Sequence, residues 1–383
     1  MKILWHSVHP KVGSGYGQQT DVVTRALKRA GHDVVISCSY GQMGFSDYYD
    51  GMLVLPCGAS ANLYGNDRVT MHFNNTQSDL VWSLLDVFVL NPAVWKGLPW
   101  AAWLPLDADP LMAHNVPALQ ACRWPVAMSR FGERVLRDAG FDPLYVPHMI
   151  DDAVFYPEDR QRVRRSLSRM WGRSDLDGQF IVCVNSANVG IPPRKNFDVI
   201  FEAWSLFAQA HDDALLYMHT DMTGAAQGGD DLSALMTLYD VDQSRVIVPH
   251  QWQYLTGMIR PEYLRYVYSA SDVLLNPSLG EGFGLPAVEA QMCGCPVIQT
   301  DYSAMSELCF EGHLVPGKLA HTAPGTRQCR VSASDVYDAL ELSVMWSGDP
   351  AVRQRAHDGA YEYRTESVME RWMLPALDHI ANE

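Results

Sequence analysis

The stretch Asn276-Pro277-Ser278-Leu279-Gly280-Glu281-Gly282-Phe283-Gly284-Leu285-Pro286-Ala287-Val288-Glu289-Ala290 decides how this 383-residue chain is read. Val273–Asn276 is short and apolar, the pattern of a buried strand, and it runs into a glycine-rich loop and then a helix. Pro286 sits at the helix start, where its missing N–H is not needed. The glycines let backbone approach a ligand closely, and the unpaired N–H groups of the first turn favour a phosphate or a polarised hydroxyl. Glu281 lies in the loop and Glu289 one to two turns down the helix. Eight residues at about 1.5 Å rise separate them by up to about 12 Å. Two carboxylates acting on one anomeric carbon, as in retaining glycosidases, stand about 5–5.5 Å apart. The pair is therefore expected to serve different parts of one extended ligand.

Outward from this point the chain alternates strand, loop and helix. Lys2–Val8 reads as a first strand, Gly13–Gly17 as a flexible loop, and Val22, Val23, Ala26, Leu27 and Ala30 recur at helical spacing before Gly31. Strands are predicted at Asp33–Cys38, Gly51–Leu55, Val69–Phe73, Val87–Leu90, Ala101–Leu104 and Leu144–Val146, with a helix over Arg130–Ala139. A second series follows Pro147. It has helices over Val163–Trp171, Phe197–Ala210, Pro261–Ala270, Leu285–Cys293, Ser303–Glu307 and Ser334–Met345. Its strands are Phe180–Asn185, Ala214–His219, Val246–Val248, Val273–Asn276, Pro296–Gln299 and His313–Val315, with the loop 186–194 after the first of them. A last helix is predicted over Ser367–Ala381. Such alternation implies parallel sheets covered on both faces. The fold class expected is α/β, two doubly wound Rossmann-like domains facing a cleft. The domains are 1–148, 149–365 and a terminal helix 366–383 that returns to the first domain. Ligands in such folds sit beyond the C-terminal strand ends.

Composition narrows the function. The chain is 48% hydrophobic, enough for two cores, and carries a formal net charge of −15. That charge disfavours a protein whose task is gripping nucleic-acid backbone, although a local basic patch can coexist with it. No apolar run reaches the roughly 18 residues of a membrane span, and Met1–Val8 is too short and polar for a secretory signal. The eight cysteines form no CxxC pair; reduced thiols in a cytoplasm are expected, with Cys293-Gly294-Cys295 read as packing rather than a metal site.

The Glu281…Glu289 pair resembles the E-x7-E signature of the retaining GT-B glycosyltransferases of the GT4 type. The resemblance extends over most of the chain. Pro125–Phe131 looks like the strand and helix start late in the family's first domain. Tyr145-Val146-Pro147-His148-Met149-Ile150-Asp151 with Phe155-Tyr156-Pro157 looks like its interdomain crossing, with Met149 in place of the usual glycine. Arg194-Lys195-Asn196-Phe197 looks like its basic motif. The resemblance implies a metal-independent transfer of a sugar from a nucleotide-diphosphate sugar, with no cofactor. Glu281 would contact donor-sugar hydroxyls and Glu289 the ribose. Gly282, Phe283, Gly284 and Leu285 would line sugar and phosphates, and Arg194 and Lys195 would bind the diphosphate. Physically, an acidic protein that receives a diphosphate must supply local cations, and fixed cations stabilise the charge that grows on a leaving diphosphate.

Weaker signals accompany these. Gly13-x-Gly15-x-Gly17 is not a dinucleotide fingerprint; Gly15 is a candidate donor-phosphate contact or part of a simple turn. Asp107-Ala108-Asp109 matches a DxD pattern, but no metal is expected; Asp107 is a candidate for sugar or acceptor hydroxyls, or a cap. His72 and His219 are read as strand-end residues, either structural or facing the ligand. The run Arg160, Arg162, Arg164, Arg165, Arg169, Arg173 fits a solvated helix face or an anionic acceptor surface. Trp82, Trp95, Trp100, Trp103 and Trp124 are read mainly as core. Three functions stay open: the glycosyltransferase, with a glycan, lipid, protein or modified DNA base as acceptor; a nucleotide-sugar 2-epimerase of the same architecture; and a non-catalytic sugar-nucleotide binder.

Overall fold

The structure is a computed structural model that describes residues 1–58, 60, 63–173, 176–190, 193–225, 228–322 and 325–383. Residues 191 and 192 of the loop predicted over 186–194 therefore lie outside the described residues. The chain forms two compact units.

The first unit comprises Met1–Ile150, His321–Arg327 and Tyr363–Glu383. Its sheet contains β1 (Lys2–Val8), β2 (Asp33–Tyr40), β3 (Asp47–Tyr49), β4 (Met52–Leu55), β5 (Leu80–Leu84), β6 (Trp100–Leu104), β7 (Trp124–Ala127) and β8 (Leu144–Tyr145). The order is β3-β4-β2-β1-β5-β6-β7-β8, parallel except where β3 turns back on β4. Tryptophans fill its centre. Trp5 stacks on Trp82 with ring centroids 6.5 Å apart, and Trp103 meets both edge-on at 6.1 and 6.3 Å. Buried indoles need acceptors: Trp103 donates to the Val146 carbonyl at 2.8 Å and Trp100 to Ser83 Oγ at 2.8 Å. These side chains are core.

Three predicted elements of this unit are corrected. Gly13–Gly17 is not a loop throughout, because the helix Gly15–Arg29 already begins there, with Ser14 Oγ accepting the Gly17 N–H. Gly17 is required at that point, since a Cβ would lie 2.1 Å from the Val12 carbonyl oxygen. Val69–Phe73 belongs to a helix, Val69–Thr76, that buries Val69 and His72; a five-residue apolar run does not separate helix from strand by itself. Val87–Val89 is a 3₁₀ turn, and the strand is Leu80–Leu84, which fits between β1 and β6. The terminal helix is also interrupted: a π turn at Met369–Met373 separates Thr365–Val368 from Leu374–Asn382. Pro375, at the start of the last segment, has no N–H to give, and the wider turn accommodates it.

The second unit comprises Asp151–Ala320 and Gln328–Glu362. Its sheet, wholly parallel, contains β9 (Phe180–Asn185), β10 (Ala214–His219), β11 (Val246–Ile247), β12 (Val273–Asn276), β13 (Val297–Thr300) and β14 (Gly312–Val315) in the order β11-β10-β9-β12-β13-β14. The helix Phe197–Ala210 lays Phe197, Ile200, Phe201, Trp204 and Phe207 on Val182, Val184, Leu216 and Met218. The helix Pro350–Tyr361 has no counterpart among the predicted elements.

The arginine run is corrected as well. Five of its six members lie on the helix Arg160–Met170 and Arg173 follows it, but two of the helical ones point inward to one buried carboxylate. Asp272 Oδ2 takes Arg164 Nη2 at 2.8 Å and the Ile181 N–H at 2.8 Å, while Oδ1 takes Arg160. Arg164 also donates to the carbonyls of Ala270, Leu176 and Gln179 at 2.7–3.0 Å. This hub ties the helix to β9 and to the residues that lead into β12. Asp272→Ala leaves two inward arginines without their carboxylate, a defect of about 3–5 kcal/mol. A chemical-denaturation curve is expected to show that loss, or the variant to be recovered unfolded.

Candidate functional site

Two strand-to-helix connections of the second unit are laced together: the segment after β9, ending in Arg194-Lys195-Asn196, and the loop 277–284 after β12. The Leu279 N–H donates to the Arg194 carbonyl at 2.9 Å, and Asn196 Nδ2 donates to the Pro277 carbonyl at 2.8 Å. The Arg194 guanidinium donates to the Gly280 carbonyl. Asn196 does this from a left-handed conformation, φ +53°, at the N-terminus of the helix Phe197–Ala210; asparagine tolerates that region better than most residues.

Lacing brings three charges together. Lys195 Nζ pairs with Glu281 Oε1, and Arg194 Nη1 lies 3.0 Å from Glu281 Oε2. The Glu281 side chain is only 8% exposed, Lys195 17% and Arg194 35%, so the carboxylate lies deepest and the guanidinium nearest to water. Burial by itself would raise the Glu281 pKa. The neighbouring Arg194 and Lys195 charges, with their hydrogen bonds, outweigh it and hold the group at about 2. The set of two cations and one carboxylate keeps one net positive charge.

The loop backbone is fixed from the other side by Ser303, whose Oγ accepts the Glu281 N–H at 2.8 Å. Ser303 has φ +55° and ψ −145°, a conformation rare for a side-chain-bearing residue. Gly284, φ +97°, makes the last turn into the helix Leu285–Met292, where its lack of Cβ is needed. Gly282, Phe283 and Leu285 are buried along this turn. Glu289, in the second turn of the helix, is 3% exposed and accepts from the Tyr268 hydroxyl at 3.2 Å.

The structure thus places Arg194, Lys195, Glu281, Gly282, Phe283 and Gly284 on two neighbouring connections of one unit, with Leu285 and Glu289 on the helix that follows the second. Gly15 and Asp107 belong to the other unit. Gly15 is exposed in the first helical turn, and Asp107 is half-buried a few residues after β6. Asp109 pairs with Arg327 at 3.4 Å and accepts the Arg327 N–H at 2.6 Å. Among the described residues no group of three His, Cys, Asp or Glu side chains is placed to hold a metal ion.

Both histidines singled out are buried and hydrogen-bonded. His72, on a helix rather than at a strand end, meets Ser37 Oγ at 2.9 Å, and His219 meets the Tyr217 hydroxyl at 2.9 Å. Burial lowers each to about 4. Ser303, Asn196 and Tyr268 were not legible as site residues. Their roles depend on long-range hydrogen bonds, and only the asparagine's tolerance of positive φ leaves a local trace.

Residues 180–326 match the family model of glycosyl transferases group 1, a span that contains both connections. The D-inositol 3-phosphate glycosyltransferase of Arthrobacter sp. (strain FB24) is 30% identical over 189 residues, 48% of this chain and 40% of the relative. The O-antigen chain mannosyltransferase B of Escherichia coli is 38% identical over 64 residues, 17% of each protein. The matches to these two thus span less than half of either relative's length. Among solved structures, sucrose-phosphate synthase from Thermosynechococcus elongatus matches over 100% of both chains with TM-score 0.77 at 17% identity. Anabaena HepE, solved in complex with UDP and glucose, matches over 99% of both with TM-score 0.68 at 14% identity. The fold is therefore that of the GT-B proteins, with two Rossmann-like units, and the group 1 glycosyl transferase match falls on the second of them, apart from its last few residues.

The Glu281 pKa fixes a pH signature. A carboxyl at about 2 in the folded protein, against an ordinary 4.5, adds stability that is complete above pH 4.5 and is lost as pH falls through 2. Glu281→Gln lacks this contribution, on the order of a few kcal/mol. Urea midpoints are expected to put the wild type well above the variant at pH 7, with the gap narrowing by pH 3. A gap that does not change between those pH values would contradict the ion-pair assignment.

Proposed function

We propose that this chain is a retaining, metal-independent glycosyltransferase that moves a sugar from a nucleotide-diphosphate sugar to an acceptor. The observation that carries the reading is the buried Glu281 held by Lys195 and Arg194 beside the start of the helix that bears Glu289. The group 1 match over the same residues supports it, as do neighbours solved with UDP and glucose, with UDP and GlcNAc, and with ADP.

In this reading the diphosphate lies against Lys195, Arg194 and the N–H groups that follow Gly284. As the bond from the anomeric carbon to the phosphate oxygen breaks, charge collects on the leaving diphosphate, where fixed cations and oriented N–H groups stabilise it most. Glu281, kept ionised, accepts from donor-sugar hydroxyls, and Glu289 accepts from the ribose. The acceptor attacks from the face the diphosphate leaves, and a diphosphate oxygen takes its proton. Asp107 serves as a ligand for sugar or acceptor hydroxyls. No step requires a metal, since the positive charge comes from the chain itself.

Thermal-shift screening against UDP-, GDP-, ADP- and TDP-sugars with EDTA present is expected to raise the melting temperature with one base and not the others. Glu289→Ala is expected to weaken that donor at least tenfold, and Lys195→Ala to cut turnover of the donor by about 10²-fold or more. Undiminished turnover and binding in both variants, or donor binding that appears only with a divalent cation, would overturn the reading.

A further inference from the structure

Glu289 is anchored by a residue outside the two laced connections. Tyr268, on the helix Pro261–Ala270, is fully buried. Its hydroxyl lies 3.2 Å from Glu289 Oε2 and 2.6 Å from Asn185 Nδ2, at the end of β9. The direction of these bonds follows from inventory. An ionised carboxylate only accepts, and a phenol has one proton. Tyr268 therefore gives its proton to Glu289 and accepts from Asn185, which must present its NH₂ and turn its amide oxygen away from the phenol. Burial, with the Glu289 charge adding to it, pushes the Tyr268 pKa well above its ordinary value, so the phenol keeps that proton. One buried hydroxyl thus sets the orientation of two polar side chains from two different elements.

We infer that Tyr268 is a positioning residue for the sugar of the nucleotide: it holds the Glu289 carboxylate and the Asn185 amide oxygen as two pre-oriented acceptors for the ribose hydroxyls. This rests on the donor reading given above and adds Asn185 as a binding residue and Tyr268 as its support. Asn185 is half-buried at its strand end, and Tyr268 has no exposure to a ligand of its own. Without the hydroxyl, Glu289 loses the donor at Oε2 and Asn185 loses its acceptor, and binding of the diol has to supply the part of the order that Tyr268 now supplies in advance.

The test is calorimetric titration of wild type, Tyr268→Phe and Asn185→Ala with UDP, ADP, GDP and TDP and with the 2′-deoxy form of whichever ribonucleotide binds. Wild type is expected to prefer the ribonucleotide about tenfold or more. Tyr268→Phe is expected to bind the ribonucleotide about tenfold more weakly, to bind the 2′-deoxy form as wild type does, and so to lose the preference. Asn185→Ala is expected to move in the same direction, and it carries the test if Tyr268→Phe does not fold. A preference that survives in the variants, or equal weakening of both nucleotides, would overturn the inference while leaving the donor reading intact. Binding of TDP alone would overturn the inference and leave the donor reading intact, whereas failure of UDP, ADP, GDP and TDP alike to bind wild type would overturn the donor reading and this inference with it.

Discussion

A carboxylate buried beneath two cations is the constraint on which the rest of this site depends. Glu281 would be costly to bury ionised by itself, and Lys195 and Arg194 would repel each other if left alone. Each removes the other's penalty only if the two connections stay in contact, so the charges and the lacing hydrogen bonds require one another. The Arg194 carbonyl, the Asn196 amide and the Gly280 carbonyl hold the loops at the spacing the ions need. Ser303 and Gly284, in conformations rare for side-chain-bearing residues, hold the far side.

On the proposed reading, this arrangement lets a chain of net charge −15 receive an anion. The site does not present two bare cations. It presents a neutralised core with one residual positive charge, and the start of a helix adds its oriented N–H groups. In that reading a donor diphosphate shares Lys195 and Arg194 with Glu281. Its own charge grows in the transition state, so the sharing turns most in its favour when the sugar leaves.

Much of this was readable beforehand because its signals are local. The helix over Phe197–Ala210 was predicted to its ends, and the Pro286 helix start and the Glu281…Glu289 spacing are visible in fifteen residues. Sequence and structure part where the deciding interaction is distant. Val69–Phe73 carries too few residues to show its period, and Val87–Leu90 lost the strand to Leu80–Leu84 because pairing with β1 and β6 selects the register. Arg160 and Arg164 looked like surface charge until Asp272, more than a hundred residues away, turned them inward. Gly17 is sterically required, a fact set by the Val12 carbonyl. The role of Tyr268 was hidden for the same reason, as a tyrosine in an apolar helix reads as core.

The most direct test of the central claim is a crystal structure of the chain with UDP or ADP bound. The account predicts a phosphate oxygen within hydrogen-bond distance of Lys195 Nζ, the diphosphate at the start of the helix Leu285–Met292, and the ribose hydroxyls on Glu289. A nucleotide bound elsewhere, with the Lys195–Glu281 pair unshared, would contradict it.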